Sequence, residues 1–111
     1  MKTRIFFALA LLIALSIVPG SAAGGEHAAT AATITIDNFR FPPQSLTVKV
    51  GTKITWTNHD DIPHAVMSEN GEFHSKALDT DDSFSFTPTN RATYSYFCLL
   101  HPKMTAKLVV E

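Results

Sequence analysis

Alternation of apolar and polar side chains constrains the fold of this chain more than any other feature. From residue 33 onward, short runs place an apolar residue at every second position, as in Leu46-Thr47-Val48 and Ile54-Thr55-Trp56. A period of two is typical of a strand with one buried face. Turn formers such as Pro42-Pro43 and Asn70-Gly71 separate the runs, and no segment has a convincing helical period.

These runs amount to about seven short strands, of which the last three are predicted near residues 83–87, 93–98 and 107–110. That number is enough for two sheets packed face to face around one core. The chain of 111 residues has room for a single domain. We therefore predict an all-β fold with the architecture of a two-sheet β-sandwich.

The amino-terminal segment has the pattern of an export signal. Lys2 and Arg4 form a basic start, residues 5–18 are apolar almost throughout, and Ser21-Ala22-Ala23 offers small residues for cleavage. The apolar run is shorter than the roughly 20 residues that a spanning helix needs. We predict a signal peptide over residues 1–23, a flexible leader over 24–32 and the folded domain over 33–111, with a soluble, monomeric, periplasmic product.

Charge and cysteine content narrow the function. Cleavage would remove two of the nine basic residues and leave ten acidic ones, so nothing indicates a nucleic-acid partner. Exported proteins usually pair their thiols, yet Cys98 is the only cysteine and cannot form an internal disulfide. Three explanations are open: an intermolecular disulfide, an inert buried thiol, or capture of the thiolate by a metal.

Residues 98–104 favour the third explanation, in which a metal binds the Cys98 thiolate. Cys98, His101 and Met104 recur at intervals of three. Sulfur ligands favour copper(I) and imidazole suits copper generally, whereas structural zinc sites rarely use methionine. In a regular strand these side chains would spread over roughly 20 Å, so the chain must fold back to bring them together. We predict a ligand loop here, stiffened by Pro102.

A second histidine must come from elsewhere. The candidates are His27, His59, His64 and His74. We choose His64, which follows Pro63 where a charged turn gives way to an apolar run. Met67 is the rival axial ligand, but its odd offset from His64 points it to the other face of a strand, so we expect it to pack. His59 and His74 could bind a second metal, although solvated loop groups are the simpler interpretation.

Taken together, these motifs resemble the cupredoxins, the blue-copper proteins, and most of all the amicyanin group. The similar segments are Thr55-Trp56-Thr57-Asn58, Pro63-His64, Tyr94-Ser95-Tyr96-Phe97-Cys98, His101-Pro102, Met104 and Lys107-Leu108-Val109-Val110-Glu111. Plastocyanins and pseudoazurins usually place four residues between the last histidine and the methionine. Only two stand between His101 and Met104, which favours the amicyanin-like group.

The resemblance implies a Greek-key cupredoxin fold that binds one type 1 copper ion. It implies that His64, Cys98 and His101 form a plane around the metal, that Met104 is the long axial ligand, and that His101 lies nearest to solvent. Asn58 resembles the family's asparagine that ties the two ligand-bearing loops together near the thiolate.

The resemblance also implies a function. The protein would carry single electrons by Cu(II)/Cu(I) cycling, through the exposed edge of His101, between weakly docked redox partners such as a dehydrogenase or a c-type cytochrome. Lys103 stands where amicyanins typically carry an aromatic residue, which counts against methylamine dehydrogenase as the partner. Leu99-Leu100 replaces a Thr-Pro pair of that group.

The alternative from another class is a copper-binding or copper-delivery protein that uses the same ligands without redox cycling. An enzyme is disfavoured, because metal catalysis needs an open coordination position and four protein ligands leave none readily available. A purely structural sandwich would leave the spacing of Cys98, His101 and Met104 unexplained.

Overall fold

The computed structural model describes residues 30–111, and this part of the chain consists of seven strands without a helix. The strands are β1 (Ala31–Ile36), β2 (Ser45–Val48), β3 (Lys53–Asn58), β4 (Val66–Ser68), β5 (Ser83–Phe86), β6 (Ala92–Cys98) and β7 (His101–Val110). They form a three-stranded sheet in the order β1-β3-β5 and a four-stranded sheet in the order β2-β7-β6-β4. The predicted all-β, two-sheet sandwich is confirmed.

The first six strands alternate between the two sheets, and only β6 and β7 form a hairpin within one sheet. Crossing between sheets allows strands that are neighbours in space to run parallel, as β1 does with β3 and β2 with β7. The pairs β3–β5, β4–β6 and β6–β7 are antiparallel. Because β4 starts where β6 ends, the segment joining β3 to β4 reaches the end of β6.

The predicted alternation places the core between the sheets. On β3, Ile54 and Trp56 are fully buried, and on β6 the inward residues are Tyr94 and Tyr96. The rings of Trp56 and Tyr96 meet across the sandwich with centroids 5.5 Å apart and planes nearly perpendicular. Burying a large apolar side chain contributes about 1.5–3 kcal/mol, so these contacts hold the two sheets together.

Strand β1 begins inside the segment predicted as a leader, residues 24–32. Ala31 and Ala32 belong to β1, because they pair in parallel with Lys53 and Ile54 of β3. The signal peptide predicted over residues 1–23 and the remaining leader up to residue 29 lie outside the described residues. Within residues 30–111 no helix is long and apolar enough to cross a membrane.

Candidate metal centre

Three of the predicted ligands converge at one end of the sandwich. The ligand atoms of His64, Cys98 and His101 all lie within 4.8 Å of one another. The Cys98 Sγ atom is 3.6 Å from His64 Nδ1 and 3.7 Å from His101 Nδ1, so both imidazoles turn the same ring nitrogen toward the sulfur. Among residues 30–111 this is the one cluster of three or more His, Cys, Asp or Glu side chains arranged to hold a metal.

The other candidate ligands are not part of this three-residue cluster. His59 and His74 are exposed, and neither belongs to the cluster. Met67 pairs with Phe97 on the four-stranded sheet, where it is half-buried, as expected for a packing residue. His27 lies outside the described residues.

The β6–β7 hairpin supplies Cys98 and His101. Cys98 ends β6, His101 begins β7, and the two pair directly across the ladder at an irregularity in register between Phe97 and Cys98. The fold-back predicted for this segment is therefore confined to the turn at Leu99 and Leu100. The expectation of a longer loop was wrong, because the chain resumes a strand immediately at His101 and continues to Val110.

Met104 lies on β7, three residues beyond His101, and is only 7% exposed. It belongs to the apolar core, whereas its neighbours Lys103 and Thr105 face solvent. Met104 and Phe39 line one cavity, and the Phe39 ring contacts both imidazoles, so Met104 lies at the same end of the sandwich as the other three donors. A buried, uncharged sulfur in this place fits a weak ligand that water does not displace.

His64 comes from the segment between β3 and β4 and is fully buried. Its backbone is fixed by a pair of hydrogen bonds with Leu78, in which the His64 N–H donates at 3.1 Å and the Leu78 N–H donates at 2.7 Å. Its Nε2 atom lies 2.8 Å from Asp60 Oδ2. Donation from Nε2–H to this carboxylate leaves a lone pair on Nδ1, the nitrogen that faces Cys98.

Asp60 was not recognised from the sequence, although it stands four residues before His64 in the same polar turn. Besides the His64 ring, its carboxylate accepts the Asn38 N–H at 2.7 Å and the Phe39 N–H at 2.9 Å. Burial opposes ionisation of this carboxyl, but the hydrogen bonds from Phe39, His64 and Asn38 outweigh it and lower its pKa below the ordinary value. The side chain is 12% exposed. Asp60 is therefore an ionised support for His64.

Phe39 also escaped sequence reasoning, because its turn lies far from the ligands along the chain. Its ring centroid is 5.4 Å from that of His64 and 5.3 Å from that of His101, with both pairs of planes nearly perpendicular. Half of the Phe39 surface is exposed. The sequence offers only the turn formers Asp37 and Asn38 as a signal.

Cys98 is fully buried and accepts a hydrogen bond from the Ala65 N–H, with nitrogen and sulfur 3.3 Å apart. Ala65 directly follows His64, so the same short segment delivers one ligand and one amide donor to the sulfur. Amide donors near a coordinating thiolate are a means by which proteins adjust a metal's redox potential.

Asn58 braces the His64 segment. Its buried side chain donates from Nδ2 to the carbonyls of Ile62 and Leu78, both at 2.9 Å, and its Oδ1 accepts the Asp60 N–H at 2.9 Å. The resemblance implied a direct tie between the two ligand-bearing segments. The side-chain bonds of Asn58 instead stay within residues 58–62 and reach Leu78, and the tie to Cys98 is made by the amide of Ala65.

The donor set fits a type 1 copper ion. It combines two imidazole nitrogens and one thiol at short mutual distances, and Met104 adds a buried thioether from the same end of the sandwich. Two histidines and a cysteine in a plane with a weak methionine ligand are the donors of blue-copper sites. His101 is the only one of the four that is not fully or nearly buried, so the surrounding protein excludes water from the rest of the site.

Comparison with known proteins agrees with this chemistry. Residues 5–110 match the sequence model of a family described as Cupredoxin-like domain. The chain belongs to the cupredoxins. Amicyanin of Paracoccus denitrificans is 35% identical over 94 residues, which cover 80% of this chain and 72% of that protein. The predicted resemblance to the amicyanin group is confirmed.

Solved structures lead to the same family. An oxidised proline variant of amicyanin superposes on this cupredoxin with a TM-score of 0.69 at 33% identity, covering 74% of this chain and 83% of that one. A purple cupredoxin from Nitrosopumilus maritimus gives a TM-score of 0.66 at 33% identity, covering 72% of this chain and 99% of that one. Fold, donor set and family therefore agree on a copper cofactor and on electron transfer.

Proposed function

We propose that this cupredoxin shuttles single electrons between redox proteins and holds its copper ion through His64, Cys98, His101 and Met104. The observation that carries the proposal is the convergence of both Nδ1 atoms on the buried Cys98 sulfur, at 3.6 and 3.7 Å. When bound, copper supplies a one-electron Cu(II)/Cu(I) couple to this site. The chain's own residues fix the ligands and determine where electrons enter and leave.

Protein contacts hold the ligands in position. His64 is held on both sides, by the Leu78 backbone and by Asp60. Cys98 and His101 sit on paired strands of one hairpin. Supporting contacts of this kind keep first-shell ligands in one arrangement. An arrangement that need not change between two oxidation states favours rapid electron exchange.

The surface around His101 supports a docking role. His101 is partly exposed, whereas Cys98, His64 and Met104 are buried, so its ring is the shortest way out of the site. Large exposed apolar side chains adjoin it: Phe39 at 50%, Leu99 at 46% and Leu100 at 47% exposure. An apolar patch of this size suits the small, transient interfaces of electron-transfer encounters, which bury under about 1,200 Å².

The partners we propose are redox proteins that bind weakly at this patch, of the dehydrogenase or c-type cytochrome class. Lys103 is exposed on β7 beside the patch and adds a positive charge to it. We propose further that residues 1–23 direct export, that the mature protein is a soluble monomer, and that it works in the periplasm.

Two other functions fit the site less well. Four protein donors around one ion leave no position for a substrate, which argues against an enzyme. A delivery protein needs to release copper readily, but His64 and Cys98 are fully buried and Met104 nearly so. Buried and braced donors favour retention of the ion.

The proposal is tested by adding one equivalent of Cu(II) to the metal-free domain and recording the visible spectrum beside a Cys98→Ala control. We expect an intense thiolate-to-copper band that the control lacks, and a reversible one-electron titration. Stopped-flow mixing of the reduced protein with an oxidised c-type cytochrome should then show second-order electron transfer. A pale spectrum that Cys98→Ala leaves unchanged would refute the copper-thiolate site, and rapid loss of copper to a chelator would favour delivery.

A further inference from the structure

The two histidines of the site are supported unequally. The His64 ring is hydrogen-bonded to Asp60 through the nitrogen that points away from Cys98. The His101 ring has no such support from residues 30–111, where its one hydrogen-bonding contact is the 3.7 Å approach to the Cys98 sulfur. Because His101 is also the partly exposed ligand, any restriction of its rotation by the protein has to come from contacts other than hydrogen bonds.

Phe39 is placed to do so. Its ring lies nearly perpendicular to both imidazoles, at centroid distances of 5.3 Å from His101 and 5.4 Å from His64. The two imidazoles are themselves 5.0 Å apart at an angle of 61°. Each of the three rings therefore contacts the other two, and aromatic pairs at 4.5–7 Å in edge-on arrangements attract each other.

The backbone under Phe39 is unusual for its residue type. Asn38 and Phe39 have φ values of 54° and 57°, and they are the central residues of a tight turn closed by hydrogen bonds between Asp37 and Arg40. Two-residue turns with positive φ at both central positions favour Asn-Gly. A bulky residue in the left-handed region is disfavoured, and such outliers gather at functional sites.

Burial of the ring does not account for this conformation, since Phe39 is half exposed. Asp60 fixes the turn instead, because its two carboxylate oxygens accept the amide hydrogens of Asn38 and Phe39. The same carboxylate binds the His64 ring. One charged group thus aligns the turn with the metal centre and places the Phe39 side chain over both imidazoles.

We infer that Phe39 is a positioning residue which holds the His101 imidazole, the exposed ligand, in the orientation that the copper centre requires. This inference rests on the proposed function. Asp60 orients the His64 ring by hydrogen bonding, and Phe39 orients the His101 ring by aromatic contact. Its consequence is that the ligand nearest to solvent stays ordered with or without metal and in both oxidation states.

The test removes the ring without straining the turn. Phe39→Gly creates the Asn-Gly sequence that this turn favours, so the variant is expected to fold. Phe39→Tyr keeps the aromatic ring and serves as the rescue variant. Val50→Ala removes an exposed apolar side chain in the turn before β3, outside the ring contacts and the docking patch, and serves as the control.

The first readout is the order of the His101 ring in metal-free protein, measured by NMR relaxation and by the number of imidazole signals. In Phe39→Gly we expect other His101 rotamers to rise about 2- to 10-fold in population, the factor that one edge-on aromatic contact supports. The second readout is the electron paramagnetic resonance linewidth of the Cu(II) form, which should broaden. Phe39→Tyr and Val50→Ala should match the wild type in both measurements.

Unchanged His101 ring order and unchanged linewidth in Phe39→Gly would overturn the inference, and so would an equal effect in Val50→Ala. These outcomes differ from failure of the proposed function. That function fails if the wild-type protein shows no copper-thiolate band, a result that leaves the metal-free NMR comparison fully interpretable.

Discussion

Replacing Asp60 by Asn tests whether one carboxylate supports the metal centre. The change keeps the size of the side chain but removes its charge and converts one acceptor oxygen into an amide donor. In the native protein Oδ1 accepts the Asn38 N–H, and Oδ2 accepts both the Phe39 N–H and the His64 ring. Whichever way the new amide turns, at least one of these donors loses its acceptor.

The expected magnitude follows from these contacts. A hydrogen bond to a charged group contributes about 1.5–3 kcal/mol and one between neutral groups about 0.5–1.5 kcal/mol. The remaining bonds become neutral and one donor is left unsatisfied at a side chain that is only 12% exposed. We therefore expect Asp60→Asn to lower the free energy of unfolding of the metal-free domain by about 2–4 kcal/mol.

Copper binding should weaken as well. Without the carboxylate, the His64 ring loses the partner that fixes its tautomer and orientation, and loss of such partners typically lowers metal affinity about 10- to 100-fold. Urea denaturation of the metal-free protein gives the stability, and competition with a copper chelator at constant pH gives the affinity. Asp61→Asn is the matched control, because Asp61 is the exposed neighbour of Asp60.

The reasoning is refuted if Asp60→Asn unfolds within about 0.5 kcal/mol of the wild type, the range of ordinary surface substitutions. It is also refuted if Asp61→Asn has an equal effect on stability and on copper affinity. In either case the bonds from Asn38, Phe39 and His64 to Asp60 would not be what holds this end of the sandwich together.

Three further predictions concern the core and the metal. Among residues 30–111 the buried Tyr96 hydroxyl has no hydrogen-bond partner, so Tyr96→Phe should raise the free energy of unfolding by about 1 kcal/mol in urea at pH 7, and no gain would contradict this. Burial raises the pKa of Tyr96 to about 12. The Tyr96 hydroxyl therefore ionises at a lower pH in the unfolded chain than in the folded one. Between pH 10 and pH 12 the free energy of unfolding of the wild type should fall by up to about 3 kcal/mol through this group, and Tyr96→Phe should escape this loss, as urea titrations at both limits would show. Leu108→Ala should lower the free energy of unfolding by about 2–5 kcal/mol, because Leu108 is fully buried on β7. Val109→Ala, at a half-buried position, should lower it clearly less in the same assay. Copper removal should lower the thermal midpoint of the wild type but not of Cys98→Ala, because only a chain that binds the metal is stabilised by it.

The strands could be predicted from the sequence because their signal is local. Alternation at Ile54 and Trp56 follows from a period of two with one buried face, and the structure buries both. The alternation does not predict which strands pair with each other. Nothing in residues 45–48 indicates that β2 runs parallel to β7 at the far end of the chain, because a half-buried strand fits many partners equally well.

The residues of the metal centre also differ in how readily the sequence predicts them. Cys98 and His101 were found because the hairpin that unites them is short, and their spacing in sequence reflects their pairing in space. His64 required the argument that a fourth donor was missing. Asp60 and Phe39 gave no comparable signal, because their contact joins positions 21 residues apart and depends on a backbone conformation that phenylalanine rarely adopts.

Cupredoxins that share one set of copper ligands can still differ in the contacts that hold those ligands. The donors themselves are constrained by the chemistry of copper, so two histidines, a cysteine and a weak axial ligand recur in blue-copper sites. The contacts that hold the donors are not constrained in this way, and here they come from a carboxylate at Asp60 and a ring at Phe39. Rigidity and redox potential depend on such outer contacts as much as on ligand identity. The residues that adjust the redox potential of this protein should therefore be sought at Asp60, Phe39 and the Leu99-Leu100 turn as well as among the ligands.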